Sequence, residues 1–302
     1  MVNGPSQESI SREHQVALQG AGLAVADVAA VIAAALAEDL AGGVDVTSQA
    51  TIPAEHRSVV DLVARQRGVL AGGVVAAAVF DMVSGGSCTV QQPVADGTVV
   101  GPGEVVMTVT GQTRAILTGE RTALNLAGHL SGVATVTRQW VEAFAGTRAQ
   151  VRDTRKTMPG LRTLEKYAVR CGGGVNHRMG LHDAALIKDN HAAAAGGVVA
   201  AFLAVRREWP QAAVEVEVDT LEQLQHILDA GATDVLLDNF SSDQLREAVS
   251  LTAGRATLEA SGGLTLADAA QVAATGVDYI AVGALTHSAP VLDIGADYRT
   301  EV

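Results

Sequence analysis

The second half of this sequence is built on a repeat that few architectures can satisfy. Short apolar runs with polar C-terminal ends recur at residues 150–153, 185–189, 214–218, 235–238, 257–260 and 279–282. Helical patterns fill the intervals at 221–230, 242–253 and 266–275. From Glu217 to Asp238 is 21 residues, and the steps Asp238 to Ala260 and Ala260 to Val282 are 22 each. A strand–helix beat of that length is a run of βα units, which demands a parallel sheet. Six such strands suit a doubly wound sheet or a barrel. The glycine turns after the last two, Ser261-Gly262-Gly263 and Gly283-Ala284, favour the barrel. No GxGxxG follows an early strand, so the dinucleotide fingerprint is missing.

The first half follows other rules. Residues 1–22 are polar and aperiodic and read as a flexible leader. Val28, Val31, Ile32, Ala35 and Leu36 trace a helical stripe with Asp27 as its N-cap. Val-rich stretches at 59–64, 89–93 and 105–109, separated by Gly and Asp turns, predict antiparallel sheet, with a helix near 74–82. Residues 94–111 resemble the repeat of a lipoyl or biotinyl carrier, but no lysine is present there to carry a cofactor. A long helix is expected over 120–144, with Arg121, Asn125, Gly128 and Gly132 on one face, where small residues let another backbone approach.

Composition excludes several functions. The net charge of −12 argues against a general binder of nucleic acid or acidic membranes. Aromatic residues are 3% of the chain, too few for a base-stacking platform. The longest apolar runs fall short of the roughly 20 residues a membrane span needs. The polar N-terminus has no export signal, which gives a cytoplasmic expectation. Cys88 and Cys171 form no CxxC, so neither a disulfide framework nor a zinc site is indicated.

Against this acidic background all three lysines, Lys156, Lys166 and Lys188, lie between residues 152 and 191, beside five arginines. A cationic island in an acidic protein points to an anionic ligand. In a βα barrel the functional residues sit at the C-terminal ends of strands. Read in order, those ends supply Thr154, Arg155 and Lys156, then Lys188, then Glu217 and Asp238, and finally the glycine turns. Arg155, Lys156, His177, Arg178 and Lys188 form a set able to hold several anionic oxygens. Glu217 and Asp238, on adjacent strands, suit Mg²⁺, directly or through water or substrate hydroxyls. Backbone N–H groups of Ser261, Gly262, Gly263, Gly283 and Ala284 can donate to a phosphate. A Schiff-base aldolase using Lys188 is the rival from another enzyme class.

The motifs Asp153-Thr154-Arg155-Lys156-Thr157 with Pro159-Gly160, Glu165 to Val169, Cys171 to Gly174, Asn176-His177-Arg178 and Leu186 to His191 resemble those of the decarboxylating quinolinate phosphoribosyltransferase family. So do Leu237-Asp238-Asn239, Glu259 to Gly263 and Val282 to Thr286. The resemblance implies an α/β chain with an N-terminal open-faced α/β sandwich and an incomplete parallel α/β barrel, TIM-like, of phosphoribosyltransferase type II. The expected division is a leader at 1–22, a sandwich at 23–132 to which 287–302 returns, and a barrel at 133–286. It implies transfer of phosphoribosyl from phosphoribosyl pyrophosphate to quinolinate, with release of nicotinate mononucleotide, pyrophosphate and CO₂. By motif match Thr154, Arg155, His177, Arg178 and Lys188 would hold quinolinate, and Arg121 would reach in from the neighbouring subunit of a homodimer. Lys156 would meet the pyrophosphate, and Glu217 and Asp238 the ribose hydroxyls and Mg²⁺. Ser261, Gly262, Gly263, Val282, Gly283 and Ala284 would hold the 5′-phosphate. Lys156, Lys188, Glu217 and Asp238 are the expected catalytic residues. A non-decarboxylating phosphoribosyltransferase is the rival within this class.

Overall fold

A computed structural model describes residues 9–299. Contacts divide the described residues into two compact units: 9–136, 158–173 and 288–299 in one, 137–157 and 174–287 in the other.

The first unit opens with α1 (Arg12–Gly20), α2 (Val25–Leu40) and α3 (Val46–Thr51). Then come β1 (Arg57–Ala64), β2 (Gly68–Val69), α4 (Gly73–Ser84), β3 (Thr89–Gln91), β4 (Val99–Val100) and β5 (Val105–Gln112). The α5 helix (Thr113–Ala143) starts here, and α6 (Arg162–Gly172) belongs here too. An antiparallel sheet runs in the order C-terminal strand (Ile294–Arg299), β1, β5, β3, while β2 pairs with β4. The alanine- and valine-rich α4 is buried from Val75 to Met82, with Asp81 as the one polar side chain in that run. That helix is the one expected near 74–82, longer by one residue at its start and two at its end.

Three sequence expectations change here. The described part of the leader is ordered: Ile10 and Leu18 are buried, and Asp81 on α4 accepts from Ser11 N at 2.8 Å and pairs with His14 at 2.6 Å. Its polar composition hid an apolar spacing sufficient to anchor one helix. Residues 1–8 of that leader lie outside the described residues. The N-cap of α2 is Ala24, and Asp27 falls in the first turn, where its charge faces the exposed N–H groups. Residues 158–173, assigned to the barrel by their motifs, group with the first unit. There α6 buries Leu164, Glu165, Lys166 and Tyr167, with Tyr167 Oη donating to Asp96 at 2.6 Å and Glu165 bound to His129 at 2.8 Å.

The small-residue face of α5 has its partner within the same unit. A Cβ on Gly132 would lie 2.1 Å from Pro290 O, and Leu292 N donates to Gly128 O at 3.0 Å.

In the second unit β6 (Gln150–Arg152), β7 (Ala185–Ile187), β8 (Val214–Val218), β9 (Asp234–Asp238), β10 (Thr257–Ser261) and β11 (Tyr279–Ala281) form one parallel sheet. Its order is β6-β11-β10-β9-β8-β7, so β6 joins the far edge, and its other side carries an isolated bridge from Arg152 to Val175, ahead of β7. Helices α7 (Asp189–Ala195), α8 (Val198–Glu208), α9 (Leu221–Asp229), α10 (Ser242–Thr252), α11 (Ala269–Ala273) and α12 (Ala284–His287) separate the strands from β7 onward. The result is a barrel left open between β6 and β7. All six strands point the same way, so their C-terminal ends share one rim.

Among the described residues no single helix is long and apolar enough to cross a membrane.

Candidate active site

On β8 the sequence Val214-Glu215-Val216-Glu217-Val218 buries its valines and turns both glutamates to the opposite face. That alternation places acids inside the barrel, and the other strands answer with cations. The outcome is a cavity of about 600 Å³ lined by Thr154, Arg155, Lys156, His177, Arg178, Lys188, Glu217, Asp238, Ser261, Gly262 and Gly263, with Leu186, Leu236 and Ala281 as apolar wall. A second hollow of about 300 Å³ shares Thr154, Lys156 and the Ser261–Gly263 turn, and adds Val282, Gly283, Ala284 and His287. Every candidate from the barrel motifs lines one or both. Arg121 does not; it is exposed on α5 in the first unit.

The cationic wall is held by buried acids. Asp153 is fully buried; it accepts from His177 N at 2.9 Å and from Asn176 Nδ2 at 2.5 Å, fixing the loop that carries His177 and Arg178. Arg178 Nη1 donates to Ala184 O at 2.8 Å, while its Nε is buried without a hydrogen bond. Burial, and then the neighbouring Arg155 charge, hold Arg178 below the usual guanidinium range. An anion placed between two desolvated guanidiniums relieves both costs.

His177 departs from the simple expectation. Its Nδ1 accepts from Arg178 N at 2.7 Å and its Nε2 meets Glu215 Oε2 at 2.7 Å, so both ring nitrogens are engaged within the protein. It reaches a ligand oxygen only by giving one of them up.

At the rim Lys188 Nζ donates to Glu217 Oε2 at 2.7 Å. Desolvation and then the charge of Glu217 raise Asp238 above the ordinary aspartate value; Asp219 adds to this, while Lys188 and Lys156 oppose it. Carboxylates that crowd one another in this way, with hard oxygen donors at a solvent-reachable rim, suit a divalent cation that keeps several waters. A second acid cluster, His177 with Glu215 and Glu259, has its ligating atoms within 4.8 Å of one another. It is already served by a cation: Arg152 Nη1 sits 2.7 Å from Glu259 Oε2. We therefore place no metal there.

The glycine turns meet the requirement for close approach. Gly262 has φ +105°, and a Cβ there would lie 2.2 Å from Asn239 Oδ1; on Gly283 it would lie 2.9 Å from Lys156 Cδ. Thr286 Oγ1 donates to Lys156 O at 2.9 Å, tying the residue after one turn to the backbone of the lysine. Sequence reading gave no role to Asp153, Arg152, Glu215, Glu259 or His287. The alternating acids of 214–218 were the one available signal for the interior charges.

Two family models match in tandem: the quinolinate phosphoribosyl transferase N-terminal domain over residues 45–131 and its C-terminal domain over 133–297. Over 267 residues the chain is 54% identical to the carboxylating nicotinate-nucleotide pyrophosphorylase of Mycobacterium leprae, covering 87% of this chain and 94% of that one. It is 40% identical to a mitochondrial decarboxylating quinolinate phosphoribosyltransferase of Nicotiana tabacum, with coverage of 91% and 83%. The solved nicotinate-nucleotide pyrophosphorylase of Francisella tularensis superposes with a TM-score of 0.86 at 37% identity, covering 90% of this chain and 96% of that one.

Proposed function

The chain belongs to the quinolinate phosphoribosyl transferase family, matched across both domains, and on that premise we infer that it transfers phosphoribosyl from phosphoribosyl pyrophosphate to quinolinate with decarboxylation. The products are nicotinate mononucleotide, pyrophosphate and CO₂, a step of de novo NAD biosynthesis. One observation carries the reading: a single cavity has a cationic wall, a rim of carboxylates and a glycine-lined annex, which match a dicarboxylate, a ribose and a phosphate.

Arg155, Arg178 and Lys188 take the quinolinate carboxylates, with Thr154 beside them; His177 joins if it releases Arg178 N. Ser261, Gly262, Gly263, Val282, Gly283 and Ala284 offer backbone N–H groups to the 5′-phosphate. Lys156, shared by both hollows, meets the pyrophosphate. As pyrophosphate leaves, positive charge grows on the ribose ring. Glu217 and Asp238 stabilise it and hold the hydroxyls, so catalysis is by positioning and electrostatics without a protein nucleophile. Glu217 and Asp238 would hold Mg²⁺, directly or through water or substrate hydroxyls, and the ion would supply neutralisation of the leaving anion. Once the ring nitrogen is ribosylated it is cationic and can accommodate the electron pair left when CO₂ departs.

We further propose a homodimer in the cytoplasm in which Arg121, exposed on α5, completes the neighbouring subunit's site. The reaction is tested by incubating the protein with phosphoribosyl pyrophosphate, Mg²⁺ and carboxyl-labelled quinolinate, with nicotinate in parallel. Labelled CO₂ from quinolinate and no turnover of nicotinate is the expected result. Turnover of nicotinate alone would overturn it in favour of a non-decarboxylating enzyme.

A further inference from the structure

Glu259 lies on β10, in the interior of the sheet, and its side chain reaches the cavity wall although the residue is only 1% exposed. One oxygen, Oε2, accepts from Arg152 Nη1 at 2.7 Å. The other, Oε1, is buried and makes no hydrogen bond; it stands 3.6 Å from His177 Nε2, whose proton is already directed at Glu215. A bare anionic oxygen in a dry wall is the costly form of a carboxyl group, and a proton on that oxygen removes the cost.

We propose that Glu259 is held as a neutral carboxylic acid at this wall and protonates ring carbon C2 of the substrate after CO₂ has left. The proposal rests on the reaction assigned above. Every group facing Glu259 is consistent with it. Among the described residues Arg152, from β6, is the guanidinium paired with Glu259, and it stacks over the Tyr279 ring of β11 at 4.0 Å. Glu215, from β8, supplies a second carboxylate, and the His177 ring turns its Nε2 toward Glu215, 2.7 Å away, and its Nδ1 to Arg178 N. A single guanidinium therefore faces two carboxyl groups, and the drier one keeps its proton. Burial, and then the Glu215 charge, push Glu259 up to about 7, against the pull of His177 and Arg152. A dianionic substrate beside an ionised Glu259 would be repelled, whereas a neutral acid can donate to it.

The bookkeeping of the step closes. The bond from C2 to the departing carboxylate breaks, CO₂ leaves, and the electron pair remains on C2 beside the cationic nitrogen. The Glu259 O–H bond then breaks, its proton forms the new C2–H bond, and its electron pair stays on oxygen. Glu259 regains a proton from water-borne acid before the next turnover, and nothing is oxidised or reduced. An acid titrating near the working pH is well matched to such a transfer.

The test is a single-turnover experiment on the wild type, Glu259→Gln and Glu259→Asp across pH 5.5 to 9, following pyrophosphate, CO₂ and nicotinate mononucleotide separately. Glutamine keeps an acceptor for Arg152 but has no acidic proton. In Glu259→Gln, pyrophosphate release should stay within about twofold of wild type while nicotinate mononucleotide formation falls about a hundredfold. The fall of the wild-type rate above pH 7 should vanish as well. Glu259→Asp should retain that alkaline fall with a partial rate, and serves alone if the glutamine variant does not fold. The proposal is overturned if product and pyrophosphate keep the wild-type ratio in the variants, or if both fall together with an unchanged pH profile. Wild type that releases no CO₂ from quinolinate would instead refute the underlying reaction.

Discussion

Replacing Gly132 with alanine tests whether the small-residue face of α5 is consumed inside the chain. The added Cβ would sit 2.1 Å from Pro290 O and 3.0 Å from Pro290 C, where ordinary contact begins near 3.4 Å. The obstacle is main chain at both atoms, so no rotamer change relieves it; helix and turn must part by about 1 Å. Overpacking of this kind costs about 1–3 kcal/mol and sometimes more, and alanine's better helix propensity returns about 1 kcal/mol. A net loss of up to about 2 kcal/mol is expected, which lowers a urea midpoint by up to about 1 M for a typical dependence on denaturant. Gly128→Ala, whose nearest atoms are at 3.0 Å, should lose less, and Gly101→Ala, with nothing within 4 Å, should be neutral. Equilibrium unfolding by circular dichroism at two protein concentrations measures all three. A Gly132→Ala midpoint equal to wild type would refute the packing. So would a loss that appears only as concentration-dependent dissociation, because it would move the contact to a subunit interface.

Arg178→Ala and Lys188→Ala should each raise the Kd for quinolinate ten- to a hundredfold, from about 1.5–3 kcal/mol per charge-assisted contact, and barely change that for phosphoribosyl pyrophosphate. Titration calorimetry with each substrate checks this, and equal losses for both would contradict the assignment. Glu217→Ala and Asp238→Ala should abolish turnover and raise the Mg²⁺ requirement with quinolinate binding kept; near-normal rates at low Mg²⁺ would leave them as strand-end acids. For the shared site, Arg121→Ala and Lys188→Ala proteins unfolded together and refolded should give about half mixed dimers with about a quarter of wild-type activity. No recovery, with mixed dimers seen by mass spectrometry, would confine Arg121 to its own subunit or to no role.

Period-based reading worked where period and burial coincide. The strand ends near Lys188, Glu217, Asp238 and Ser261 were legible because each closes an apolar run, and the structure gathers them at one rim. It failed where tertiary contacts override local pattern. The helix α1 is polar in composition but anchored by Leu18 and by Asp81, a residue 70 positions from its Ser11 partner. Residues 158–173 carry a motif contiguous with Lys156, yet Tyr167 and Glu165 find their partners at Asp96 and His129. Asp153 and Glu259 stood inside quoted motifs, but their role as buried supports was not legible for a similar reason: a carboxylate in a sequence looks the same whether water or a buried partner satisfies it. His177 was legible as a candidate, and it lines the cavity, but the engagement of both its nitrogens was not legible.

The strand Ile294–Arg299 forms the outer rung beside β1, and side-chain bonds across that pair join residues 232 and 238 positions apart. A ribosome therefore delivers β1 long before its outer neighbour exists. Until then β1 presents one row of unpaired N–H and C=O groups, an open template for another nascent chain. The barrel segment 174–287 is contiguous, so its strands can pair with neighbours synthesised seconds earlier, while the first unit must wait for the strand that seals it. Aggregation during synthesis should therefore track the interval before residue 299 emerges, and a chain stalled just short of Ile294 would be the most vulnerable.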